Sequence, residues 1–461
     1  MIIQNNASKY LKNNIFMKSM TTFKSVIVTI IVLLSFNIQQ TFAITVDVKT
    51  AGTLSTLIPS SNMYSITTLS ITGYLNGTDF RLIRQLAGNT YDGRVTYGQL
   101  SELDLSGATI ISGGDTYYAD LIVLDDTLCR YMFKNCTKIN KIILPNSVNH
   151  IGHGAFEGCT GLKSVIIPDN ITSIGDDAFR DCSSLTDITL PNSITTIGER
   201  AFLGCSKLIN FTIPNSVIHI GEMAFEDCKN LVRFIVPEDH EVFSVIDSVL
   251  YNKDKSMMIR CPEGMPRGYK IREGLLSIGN DAFFGCEHLD SIVIPLGVNY
   301  VGGRSFENCT RLRYVKIPSS VISLGCSFYN CITLEETHNN NKTPQDIDMF
   351  CFEFVNKKTC KLYVPRGSKN DFMNARYWKE FENIIEENIT ANDYFSNKNI
   401  SISSFSNGIC IKTDKLINVA VFSITGQKVF STEVQGEVNI SLAKGIYIVT
   451  AGNESRKTVV R

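Results

Sequence analysis

Residues 151–168 read Ile-Gly-His-Gly-Ala-Phe-Glu-Gly-Cys-Thr-Gly-Leu-Lys-Ser-Val-Ile-Ile-Pro. The same order of residue types returns at Ile174-Gly175, Ala178-Phe179, Cys182, Leu185, Ile188, Leu190 and Pro191. It returns around Phe202 and Cys205, Phe225 and Cys228, Phe283 and Cys286, and Phe306 and Cys309. Degenerate units flank these, near Phe133 and Cys136 at one end and Phe328 and Cys331 at the other. Cys136, Cys159, Cys182, Cys205 and Cys228 are spaced by 23 residues without exception. Such a period marks a stack of similar coils, each burying its apolar face against the next.

Each residue type has a mechanical reading. Leu162, Val165 and Ile167 alternate as a short strand with its apolar set inward. Pro168 ends that strand, because it has no N–H for the ladder. Gly152 is expected to permit a turn that a side chain would oppose. Ala155, Phe156 and Cys159 sit at helical or 3₁₀ spacing and supply a second wall. Phe156, Phe179, Phe202 and Phe225 then stack as an aromatic spine. The predicted fold class is an α/β-type solenoid of leucine-rich repeats, with short strands and short helical or 3₁₀ turns, followed by a small all-β sandwich.

The 14 cysteines are read as compact buried hydrophobes at one phase of the repeat, not as disulfide partners or metal ligands. No C-x-x-C occurs, and no histidine keeps their phase. Between Cys228 and Cys286 the pattern breaks, and 238–277 is read as an insertion. There Val249-Leu250-Tyr251 and Met257-Met258-Ile259 flank a polar turn and predict a β-hairpin. The insertion is expected to be structural, with a binding element as the alternative.

The repeat unit resembles the BspA-like bacterial leucine-rich repeats, whose signature runs I-G-x-x-A-F-x-x-C-x-x-L-x-x-I-x-I-P. Two flanking segments look like the ends of such proteins in Bacteroidetes: Gly73 to Phe80 with Leu103 to Ala108, and Leu362 to Ser368 followed by Trp378, Phe381 and Ile384. The resemblance implies a secreted or cell-surface binding protein, in a family that includes host-matrix adhesins, and implies no catalytic residues.

The chain has 461 residues, with 44 basic and 45 acidic side chains. No surplus of positive charge exists to neutralise phosphates, so nucleic acid is excluded as a partner. Lys9, Lys12, Lys18 and Lys24 precede an apolar run from Val26 to Phe36, and Thr41-Phe42-Ala43 offers a small-residue cleavage site. These are the parts of a secretory signal, too short in its apolar run to span a membrane. Residues 1–43 are therefore expected to be removed, leaving a capping region at 44–127, repeats at 128–337, a closing cap at 338–387 and a linker at 388–399. Residues 400–461 alternate at period two in six short runs and predict a β-sandwich. Phe422 to Val429, Lys444 to Tyr447 and the terminal Lys457 to Arg461 resemble a type A carboxy-terminal sorting domain of the type IX secretion system. That resemblance implies display at the outer membrane of a Gram-negative bacterium, with the secretion machinery as a partner.

No nucleophile elbow, phosphate loop or dinucleotide fingerprint is present. Adjacent acids such as Asp176-Asp177 and Glu335-Glu336 read as solvated turn residues. The sequence predicts no catalytic, cofactor or metal residues, and no enzyme. It predicts a surface built from the positions between the inward ones: Lys141 and Ile143, Ser164 and Ile166, Asp187 and Thr189, Asn210 and Thr212, Arg233 and Ile235, Ser291 and Val293, Tyr314 and Lys316. This mixed, mildly apolar face suits a protein partner such as host matrix or another surface protein. A structural scaffold or a glycan-binding protein is the alternative.

Overall fold

The computed structural model describes residues 42–388, 400–405, 407–423, 427–451 and 454–460. The expected signal segment up to Thr41, the linker beyond Asn388 and the Thr425-Gly426 turn lie outside the described residues.

Most coils carry two strands, not one. Three-residue strands build face A of the solenoid. Lys141–Ile143 and Ser164–Ile166 extend a parallel sheet begun by Ala43–Val48, Thr68–Leu75 and Glu102–Ile110. Asn210–Thr212 pairs Arg233–Ile235. Ser291–Val293, Tyr314–Ile317, Glu336–Asn339, Lys361–Pro365 and Asn383–Glu387 form the last parallel sheet. Two-residue strands build face B, with His150–Ile151, Ser173–Ile174, Thr196–Ile197 and His219–Ile220 paired in register. The sequence reading took these Ile-Gly pairs for turns.

No helix or 3₁₀ segment forms between the strands of the repeats. The expected helical turns are replaced by successive β-turns, such as Ala155 N–H to Gly152 O at 3.1 Å and Cys159 N–H to Phe156 O at 3.0 Å. A residue with left-handed φ sits third in each turn: Gly154, Asp177, Arg200, Met223, Asp281 and Arg304 lie between 53° and 57°, Gly158 and Gly204 at 71° and 75°. One left-handed residue in every four stops a helix from propagating. The amides thereby freed donate to the next coil instead, as Phe156 does to Ala178 O at 2.8 Å and Phe179 to Ala201 O at 2.8 Å.

The repeated glycine has a different reason from the one expected. Gly152, Gly175 and Gly198 are not among the left-handed residues. A Cβ on Gly152 would meet Leu128 O at 2.6 Å, and one on Gly198 would meet Asp176 N at 2.5 Å. Glycine is there so that neighbouring coils can touch.

The phenylalanines do form a spine. Phe133, Phe156, Phe179, Phe202 and Phe225 stack with centroids 5.1–5.7 Å apart and planes within 6°. The spine resumes through Phe283, Phe306, Phe328 and Phe352. Between the two runs lies the insertion, where Phe243–Ile246, Val249–Asn252 and Met257–Arg260 form an antiparallel meander. Its last strand passes parallel to Ser277–Ile278 and starts the second array. The buried core divides there too: one cluster runs from Val46 to Leu250, the other from Val249 to Ile384.

The first coil has no coil before it, so its carbonyls need other donors. Arg84, fully buried on the helix Gly77–Leu86, supplies them. Its guanidinium donates to Met132 O at 3.0 Å, Lys134 O at 3.1 Å, Tyr131 O at 3.3 Å, Thr90 O at 3.1 Å and Asn89 Oδ1 at 2.8 Å. The Tyr117 hydroxyl donates to Arg130 O. The flanking motif from Gly73 to Phe80 places this helix. Asn76 caps it, and Asp79 accepts from the amides of Gly52, Leu54 and Asn76.

The carboxy-terminal residues form five strands instead of six short ones. Gly408–Ser423 and Lys428–Ser441 each merge two of the expected runs and pair along their length, with a register shift between Thr413 and Ile417. Ile400–Phe405 pairs the first half of Gly408–Ser423, and Gly445–Ala451 its second half. Ile409, Ile411, Val419, Val421, Val434, Ile440, Val449 and Val460 make a separate small core.

Candidate functional site

Face A carries the residues singled out in the sequence. Their inward neighbours Ile142, Val165, Ile188, Phe211, Phe234, Ile292 and Val315 are all buried. Lys141, Ile166, Asp187, Thr189, Thr212, Arg233, Ile235, Ser291 and Val293 are exposed, and Ile143, Ser164, Asn210, Tyr314 and Lys316 half-buried. Parallel register aligns them into columns: Lys141 beside Ser164, Ile143 beside Ile166, Thr212 beside Ile235, Val293 beside Lys316. Asp187 and Thr189 belong to no strand, and the face is divided into three sheets.

The column continues into residues that the sequence reading missed. Lys316 stands beside His338, and His338 beside Tyr363. The His338 ring stacks on Tyr363 at 4.2 Å and packs against Tyr314 at 4.9 Å. His338 Nδ1 meets Glu387 Oε1 at 2.9 Å, and Lys361 pairs Glu336 at 3.4 Å. The signal was hidden because Thr337 and Asn339 occupy the inward positions of this coil. Both are buried, and Asn339 donates to Gln345 Oε1 at 2.8 Å. Apolar alternation was the cue, and polar residues that satisfy each other inside do not supply it.

The acids are not as expected. Asp177 is buried rather than solvated, with Arg200 Nε at 3.0 Å and Nη2 at 3.2 Å from its two oxygens. The pair lies one coil apart and ties neighbouring coils together. Asp176 is exposed and accepts from the Glu199 amide at 2.8 Å. Among the described residues no group of three or more His, Cys, Asp or Glu is arranged to hold a metal ion.

The cysteines are free and do more than fill space. Cys159, Cys182, Cys205, Cys228, Cys309 and Cys331 each aim a thiol at the carbonyl of the phenylalanine one coil earlier, at 2.9–3.3 Å. The thiol is a second donor to a carbonyl that already accepts from the amide three residues on, as Phe156 O does from Cys159 N–H at 3.0 Å. Burial pushes the Cys136 and Cys351 thiols up to about 11 and about 12, and Cys182 well above its ordinary range. These three thiols are therefore kept protonated at neutral pH. In the native protein the buried cysteines should resist a thiol reagent at about pH 8 and only half-buried Cys326 should be reachable, while all 14 cysteines react in denaturant. Cys182→Val removes one of the two donors to Phe156 O and should cost about 0.5–1.5 kcal/mol, read by denaturant unfolding.

A family model described as the BspA type leucine rich repeat region matches residues 126–255 and 268–367 in six copies. These repeats are BspA-type leucine-rich repeats. No curated protein matches the chain in sequence. Among solved structures, the chain is similar to a leucine-rich repeat protein from Eubacterium ventriosum, with 22% identity and a TM-score of 0.43 over 57% of this chain and 72% of that one. It is also similar to a leucine rich cell surface protein from Faecalibacterium prausnitzii, with 23% identity and a TM-score of 0.40 over 64% and 90%. The pneumococcal vaccine antigen PcpA matches at 17% identity and a TM-score of 0.39 over 69% and 80%. The BspA-type match spans the insertion up to residue 255 and continues past the last well-formed cysteine unit to residue 367. Among the described residues no helix is long and apolar enough to cross a membrane.

Proposed function

We propose that the protein is a non-enzymatic, surface-displayed binding protein that recognises a protein partner through face A. The observation that carries this reading is the run of exposed apolar side chains, Ile166, Ile235 and Val293, at 40–48% exposure on strands whose alternate residues are fully committed to the core. Short paired strands, one in each of the three sheets of the face, present them with little ordering cost on binding. Polar rungs around them supply the rim of a protein interface. On this reading residues 400–461, whose described strands join in one five-stranded sheet, act as the sorting domain, and the segment before Ile44 directs export. BspA-type repeats on bacterial cell-surface proteins fit that placement.

The glycan alternative would use Tyr314, His338 and Tyr363. Sugar platforms need free ring faces, and His338 and Tyr363 spend theirs on each other at 4.2 Å. The protein reading is favoured for that reason.

Arrays of host matrix proteins and glycans probed with the full chain test the reading. The triple variant Ile166→Asp, Ile235→Asp, Val293→Asp should lose at least tenfold in affinity for a protein hit while melting within a few degrees of wild type. Binding that survives the three substitutions removes face A from the reading. A glycan hit without a protein hit supports the alternative.

A further inference from the structure

The joint between the two arrays is held by side chains where every regular junction is held by backbone. In the first array, Arg200 and Phe202 donate their amides to Glu222 O and Ala224 O, both at 2.9 Å. One coil on, the amides of Met223 and Phe225 make no such bond among the described residues. A cavity of about 140 Å³ lies there, bordered by Met223, Phe225, Leu250, Ile259, Arg260 and Asp281.

Charged groups bridge the gap from both sides. Glu226 belongs to the last coil of the first array and Asp281 to the first coil of the second, and both are buried. A single guanidinium nitrogen reaches an oxygen of each, so the two carboxyl groups lie close together. Two carboxyls so placed can share a proton but resist carrying two negative charges. Arg304, one coil further on, reaches both, with Nη1 at 3.0 Å from Glu226 Oε1 and 3.3 Å from Asp281 Oδ1, and its Nε meets Glu307 at 3.0 Å. Arg260 of the insertion is buried, donates to Phe225 O at 3.2 Å and to Asp281 O, and pairs with buried Glu263. Four acids thus face two guanidinium groups. Glu222 and Asp227 add negative charge from the same coil edge, and Lys229 opposes them.

We propose that the Glu226–Asp281 carboxyl pair is a proton-operated latch between the two halves of the solenoid, closed while the pair shares a proton and loosened when that proton is lost. Burial raises both groups, Glu226 up to about 7 from an ordinary 4.5, and lifts Glu263 to about 7 as well. The folded protein therefore holds a proton that the unfolded chain has already released. The latch contributes fully below about 4.5 and fades as pH rises through about 7. Loosening changes how the strands Arg233–Ile235 and Ser291–Val293 stand to each other, whatever face A binds.

Hydrogen exchange on the full chain at about pH 6 and about pH 8.5, corrected for intrinsic rates, tests the latch. Amides in 221–228, 258–264 and 279–286 should lose about tenfold in protection at the higher pH, while those in 151–182 keep theirs. Glu226→Gln cannot lose a proton, so its joint should be equally protected at both values. Asp281→Asn is the second variant, with an asparagine that tolerates the left-handed φ of 55° at that position. An unchanged joint in the wild type overturns the proposal. So does a loss shared by the remote coils, or one that persists in both variants.

Discussion

Replacing Arg84 by methionine should open the amino-terminal end of the solenoid. The side chain is fully buried and has no carboxylate partner within ion-pair distance among the described residues. Its charge is held by carbonyl dipoles and by the face of the Tyr118 ring, 4.5 Å from the guanidinium carbon. Methionine fills much of the volume and removes the cost of burying a cation, which works in favour of the variant. Against that, Met132 O and Lys134 O lose their only donors among the described residues, at the point where no earlier coil replaces them. Each orphaned carbonyl costs about 1–3 kcal/mol, so the net loss should be about 3 kcal/mol. Lysine should not rescue, since a single ammonium cannot fork to carbonyls on both sides. Faster hydrogen exchange confined to residues 128–140, with coils beyond Phe179 unaffected, is the expected reading. Wild-type protection in the variant would mean that Tyr117 and the coil-to-coil bonds suffice.

Phe179→Ala should be costlier still. The ring lies between Phe156 at 5.1 Å and Phe202 at 5.3 Å, nearly parallel to both. Coil spacing is set by backbone bonds such as Phe179 N–H to Ala201 O at 2.8 Å, so neighbours cannot close over the void. A Phe-to-Ala change at a site that does not collapse costs about 3–5 kcal/mol. Phe179→Leu should lose roughly a third of that. Because coils hold only their neighbours, the alanine variant should also split one denaturant transition into two, as the array breaks at its weakest interface. A single transition shifted by under about 1 kcal/mol would mean that the spine is ornamental.

What the sequence disclosed depended on how often a residue recurs. Phe156, Cys159 and Leu162 were legible because the same chemistry returns every 23 residues, and a period needs no knowledge of geometry. The turns were misread because Ala155, Phe156 and Cys159 have helical spacing, while the left-handed residues that forbid a helix change identity from coil to coil. Gly154, Asp177, Arg200 and Met223 share a φ near 55° and nothing else. Arg84, Arg260 and the Glu226–Asp281 pair were invisible for the opposite reason. Each occurs once, where a coil lacks a neighbour, and a solitary buried charge leaves no pattern. His338 and Tyr363 joined the candidate face only through strand register. Ile166, Ile235 and Val293 were read in advance because outward positions follow directly from alternation.

The caps also govern how this molecule can change size. The internal junctions share backbone amides, a glycine and a thiol, none of which depends on which coil comes next, and pairs such as Asp177–Arg200 only add to them. The ends and the joint use Arg84 and Arg260, which answer only to the carbonyls they face. A gene rearrangement that adds or deletes one 23-residue unit inside an array therefore leaves every cap satisfied and lengthens or shortens the recognition face by one strand spacing, about 4.8 Å. A deletion of any other length puts carbonyls out of step with donors. The reach of such a protein can vary between descendants in whole steps only, like rungs on a ladder of fixed pitch.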